Sequence, residues 1–138
     1  MFRFLIFLTL ISTSFIQLKA QNMSDGQRIA VNPSSSVYLI LDREKRLLNN
    51  DIVYNNLFID KRGVQYIGTL NMELLPTGKP VKNAMLCKGS TAAVYLVLGK
   101  TKQHISNPEV FNLFYFDWGK IKTVADQEIL KYKTKKPI

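Results

Sequence analysis

Residues 37–50 read VYLILDREKRLLNN, and 57 positions later residues 94–107 read VYLVLGKTKQHISN. The correspondence runs on without a gap from Val37–Val81 to Val94–Ile138. Twelve of these forty-five positions are identical, among them Tyr38, Lys45, Asn50, Asp60 and Pro80 in the first copy. Unrelated segments of average composition would agree at only about 6% of positions. The chain is therefore an internal duplication. Carried backwards, the period divides it into a first unit, 25–81, and a second, 82–138, behind a short segment at 21–24.

Two copies constrain one unit. VYLIL and VYLVL are β-branched and aromatic runs that predict a strand. The polar stretches DREK and GKTK predict a hairpin loop of about four residues. Asn50 and Asn107 stand where helix N-caps belong, and Pro108 fits the first helical position because its missing N–H costs nothing there. Val53, Tyr54, Leu57 and Phe58 form an apolar helical stripe, repeated as Val110, Phe111, Phe114 and Tyr115. VQYI and IKTV predict a third strand. Thr69 and Asp126 are candidate caps for a short second helix, and the closing Pro80 and Pro137 stop it. Each unit thus reads β-β-α-β-α. A lone unit of this size buries little surface, so the expectation is α+β, with both repeats packed as one pseudo-twofold domain.

Residues 1–20 predict a cleavable signal peptide. A basic MFR start precedes the apolar FLIFLTLISTSFI, and QLKA ends in a small residue. The apolar run is too short for a comfortable span, so no transmembrane segment is expected, and the protein is expected to be secreted or periplasmic. No cysteine near Ala20 invites a lipid anchor. Cys87 is the sole cysteine, so no intramolecular disulfide framework exists and the core must suffice without one. Cys87 reads either as a small buried hydrophobe or as a reactive thiol.

The second unit also carries a recognisable pattern. Val94, Tyr95 and Leu96 precede Gly99–Lys100, then His104–Ile105, Asn107–Pro108, Phe111, Asp117–Trp118, Val124, Asp126 and a closing Pro137–Ile138. This resembles a tandem module of secreted and cell-wall-associated bacterial proteins. The first unit matches it only through its strand, Asn50, its helix stripe and Pro80. The resemblance implies an accessory, surface-binding role beside wall or polysaccharide hydrolases, and it transfers no catalytic residue. Phe116 departs from the pattern, which has Gly before the Asp–Trp pair, so the local turn is expected to differ.

No catalytic constellation is present. His104 is the only histidine, and its counterpart is Leu47, so it reads as a packed or edge residue. No nucleophile elbow, HExxH, CxxC or phosphate-cradling glycine loop occurs. Asp60 and Asp117 occupy equivalent positions and are the most suggestive carboxylate pair for glycoside hydrolysis, but each follows an apolar helix and fits a turn role better. The expectation is a non-enzyme without metal or other cofactor.

Charge is distributed unevenly. The first unit has seven basic and six acidic residues, the second ten and four. Such an excess attracts polyanions, which for an exported chain means acidic polysaccharide or cell-wall polymer rather than nucleic acid. Trp118, replaced by Lys61 in the first copy, is expected to be partly exposed and able to stack on a sugar. The expected binding set is Trp118, Tyr115, Lys120, Lys122, Lys131, Lys133, Lys135 and Lys136. A protein-interaction role, as inhibitor or subunit of an envelope assembly, is the alternative; polymer binding through charge would weaken with salt, whereas an apolar interface would not.

Overall fold

The structure, a computed structural model, describes residues 23–138; the expected signal peptide lies outside them. The architecture is α+β, with two sheets and four short helices. In chain order the first half contains β1 (Arg28–Ala30), β2 (Tyr38–Leu41), β3 (Glu44–Leu47), α1 (Asp51–Asn55), β4 (Val64–Tyr66) and α2 (Thr69–Leu74). The second contains β5 (Ala84–Lys88), β6 (Val94–Leu98), β7 (Thr101–Ile105), α3 (Pro108–Leu113), β8 (Ile121–Thr123), α4 (Asp126–Leu130) and β9 (Lys133–Lys135). The sheets run β3-β2-β1-β4 and β8-β5-β6-β7-β9.

The predicted β-β-α-β-α order omits a strand at the start of each unit. β5 lies inside its sheet, antiparallel to β6 and parallel to β8, and β1 sits likewise between β2 and β4. Their equivalence is hidden by loop length. Six residues, 31–36, lie between Ala30 and Val37, but only five, 89–93, lie between Lys88 and Val94. Arg28 therefore pairs with Leu39 and Val64 as Leu86 pairs with Leu96 and Ile121. An ungapped comparison sets Arg28 against Met85 instead. The tail after α4 also differs from expectation, because it adds β9 as an edge strand beside β7.

Local chemistry accounts for the remaining elements. Both hairpin loops have two residues rather than four. Asp42 and Arg43 take φ of 53° and 63°, and Gly99 takes 59°, which matches the primed turns that suit strand twist. The side chains of Asn50 and Asn107 accept from the amides of Val53 and Val110 at 2.9 and 2.8 Å, so the expected N-caps form. The second pair of caps does not. Thr69 and Asp126 are the first residues of their helices, behind Gly68 and Ala125. Asp126 instead accepts from the amide and hydroxyl of Ser90 at 2.8 and 2.6 Å, which holds its carboxyl below the usual range.

Three apolar layers follow. The central one draws on both units: Leu39, Leu57 and Phe58 with Leu86, Leu96, Phe111 and Phe116. Outside it, Met72 of α2 and Leu75 just after the helix lie over Ile29 and Ile40, and α4 lays Ile129 over Cys87 and Val97. Cys87 is fully buried, and burial pushes its thiol up, so it packs as a hydrophobe. Each outer helix is also tied by a buried lysine. Lys45 donates to the carbonyl of Met72, and Lys102 to that of Ile129 at 2.8 Å, each beside the ring of Tyr38 or Tyr95.

Arg28 is the most deeply buried charged residue among the described ones. It is 1% exposed where the second unit has Leu86. Its guanidinium lies 3.9 Å from the Phe58 ring centroid and donates to the Tyr54 hydroxyl and the carbonyls of Asp60 (2.9 Å) and Arg62. It therefore organises residues 60–62: it shares the Asp60 carbonyl with the Tyr54 hydroxyl, which donates to it at 2.7 Å, and reaches the Arg62 carbonyl itself. Arg28→Leu, which copies the second unit, should cost about 1–3 kcal/mol in urea unfolding, chiefly by leaving the Arg62 carbonyl without its donor; an unchanged midpoint would show that water replaces it freely. The shared central layer also predicts that residues 82–138 alone give no cooperative melt by circular dichroism, and a sharp transition would contradict it.

Candidate functional site

Trp118 opens a one-turn 3-10 helix after Asp117, whose carboxylate accepts from the Gly119 amide at 2.8 Å. The indole N–H donates to Asn112 Oδ1 at 2.7 Å, and the ring lies over Phe111 with centroids 4.0 Å apart. It is nevertheless 49% exposed. Its free side walls a groove of about 510 Å³ whose other residues include Val94, His104, Ile105, Pro108 and Phe111. Ser106 and Asn107 supply polar groups at the same groove. His104 stands on β7 against the Tyr95 ring, with centroids 5.6 Å apart, as a packed strand residue would.

Tyr115 does not join Trp118. Its backbone is left-handed at φ 59°, which turns the side chain out of the apolar stripe, and Phe116 is buried instead. The Tyr115 ring then covers Gly63 of the first unit, where any Cβ would collide with it. Gly63 itself has φ 81°, so two requirements fix that glycine. Tyr115 remains 47% exposed but faces a different cleft, lined by Gly26, Arg28 and Gln65.

The expected lysines form no single patch. Lys120 and Lys122 belong to the β8 edge, whereas Lys133 and Lys135 lie on β9 at the opposite edge of the same sheet. Four strand spacings separate those edges by about 19 Å, beyond a Debye length of about 8 Å at physiological salt. Lys131 is occupied by Glu128 at 2.7 Å, which raises its pKa. Lys136 is exposed beside β9, and Gln103 donates to its carbonyl at 3.0 Å. Lys135 reaches across to Asp42 of the first unit at 2.8 Å.

That contact leads to a site the sequence reading missed. Between the units lies a smaller cleft, about 180 Å³, lined by Arg46, Lys79, Lys82 and Lys135 with Asp42, Thr101 and Gln103. Arg46 comes from β3, and Lys79 and Lys82 from the connection between the units. Of the four cations, the expected binding set held Lys135 alone, and Arg46, Lys79 and Lys82 were outside it. Arg46 is held by Glu44 at 3.1 Å and Asp42 at 3.4 Å, yet its Nε is buried without a partner. Among the described residues there is no cluster of three His, Cys, Asp or Glu side chains able to hold a metal, and no helix is long and apolar enough to cross a membrane. No protein-family model, curated protein or solved structure gives a significant match to this chain.

The Asp42–Lys135 pair makes stability depend on acid. The Lys135 hydrogen bond holds the Asp42 carboxyl below its usual value, so its contribution is present above the unfolded pKa and disappears as pH falls through the folded one. Both partners are partly exposed, which limits the effect to about 1 kcal/mol or less. Urea unfolding at pH 5 and pH 3 should show a larger loss for the wild type than for Asp42→Asn; equal losses would mean that the pair contributes nothing.

Proposed function

We propose that this chain is an exported, non-catalytic module that binds anionic or glycan polymer at a cell surface. The observation that carries the reading is Trp118. Its N–H is satisfied by Asn112 and one face is packed on Phe111, so the ring is held before any ligand arrives. A fixed aromatic surface loses little entropy on binding and offers the apolar face that stacks on a sugar. The groove beside it adds hydrogen-bonding groups from His104, Ser106 and Asn107. The resemblance of the second unit to modules of wall-associated proteins supports the same role, and the basic excess favours an acidic polymer. Export rests on the pattern of residues 1–20.

We also read the two units as packed about a pseudo-twofold axis. Supporting this, Leu41 and Leu98, Asp42 and Gly99, and Arg46 and Gln103, three pairs of equivalent positions, line one cleft. A protein-docking role is the second reading. Leu70 and Leu74 favour it, because they are exposed one turn apart on α2.

Co-sedimentation of residues 21–138 with cell-wall sacculi and with insoluble acidic polysaccharide, at low and high salt, separates the two. Pelleting with one polymer is expected, and Trp118→Ala should weaken it about tenfold. Undiminished pelleting of that variant would remove Trp118 from the site. No pelleting at either salt would favour a protein partner.

A further inference from the structure

We propose that the cleft between the two units is a binding site for a phosphate group. This extends the polymer-binding reading by naming the charged group such a polymer would present, and it fails or stands separately from the Trp118 groove. Arg46, Lys79, Lys82 and Lys135 converge on the cleft, and Asp42 is the only carboxylate lining it. Even with Glu44 counted for its contact with Arg46, two positive charges are uncompensated. Lys79 and Lys82 join no ion pair among the described residues. Gathering like charges opposes folding, and a doubly charged anion between them removes that cost.

The cleft's size and donors narrow the chemistry. At about 180 Å³ it is smaller than the roughly 300–1,000 Å³ of pockets for drug-sized ligands, so it takes one group rather than an extended molecule. Carboxylate recognition favours a free guanidinium fork, but Arg46 uses Nη2, the nitrogen common to both of its bidentate edges, on Glu44 and Asp42. The lysines add ammonium groups, which act as point charges suited to a tetrahedral set of oxygens. The buried Nε of Arg46 is a donor that the protein itself leaves unused. An arriving phosphate also competes with Asp42 for Lys135, which gives the site a test in both directions.

The experiment is a phosphate titration of the 21–138 chain at pH 7.5, followed by ³¹P NMR at constant ionic strength in sodium chloride. Saturable binding is expected. Lys79→Gln/Lys82→Gln should raise Kd about tenfold, and Asp42→Asn should lower it by removing the competing carboxylate. Lys120→Gln/Lys122→Gln, on the far β8 edge, should change nothing. Absence of saturable binding, or equal responses from the two lysine double variants, would overturn the proposal. So would weaker binding by a folded Asp42→Asn.

Sedimentation with phosphatidic-acid vesicles and competition by soluble polyphosphate identify the source of the phosphate, by whichever responds to Lys79→Gln/Lys82→Gln. If neither does, the site is refuted. Trp118→Ala should leave phosphate binding intact. Loss of sacculus pelleting with phosphate binding retained would therefore defeat the polymer reading alone.

Discussion

Phe58 of the first unit stacks on Phe116 of the second, with ring centroids 5.2 Å apart and planes 14° from parallel. The two residues also form an antiparallel bridge, and the Asp117 amide donates to the Leu57 carbonyl at 2.8 Å. Phe111 and Phe114 close around the same ring. Here the inner faces of both sheets are excluded from water together, which neither could achieve with helices as short as α1 and α3. The surrounding geometry follows from this junction. Packing Phe116 inward forces the chain through the left-handed conformation at Tyr115, which brings that ring over Gly63.

The two halves share some devices and differ in others, and the distinction is physical. Lys45 and Lys102, 57 positions apart, do the same work because each outer helix presents a carbonyl that a buried ammonium can satisfy, and each hairpin presents a tyrosine ring beside it. Arg28 occurs once. Its loop needs donors for the carbonyls of residues 60 and 62, whereas the corresponding segment of the second unit is a 3-10 turn held through Asp117 and Gly119. Leu86 then suffices at the core. Trp118 and Lys61 diverge at the surface end of that same segment: one is pinned to Asn112, and the other donates to the Pro33 carbonyl at 2.6 Å.

What the sequence reveals is what local chemistry decides. Asn50 and Asn107 cap their helices through amides three residues away, and the hairpins follow from adjacent runs. Strands β1 and β5 were not legible because they are short and take their identity from neighbours on both sides, one of them more than thirty residues later. A one-residue offset before the next strand conceals that they occupy matching places in their sheets. Tyr115 and Phe116 show the same limit at a single position, since helical spacing selected the first while the junction between units buries the second. Charge was misread for a similar reason. Lysines adjacent in sequence were assumed adjacent in space, yet β8 and β9 occupy opposite sheet edges, and the densest group of cations takes two members from the first unit.

The Phe58–Phe116 junction has a consequence for how the protein is made. A ribosome adds about 5–20 residues per second, so Phe116 emerges roughly 3–12 s after Phe58. Throughout that interval the first unit exposes an apolar face with nothing to cover it, because its lid has yet to be synthesised. A core shared between the halves closes late, once residues from both are available to it.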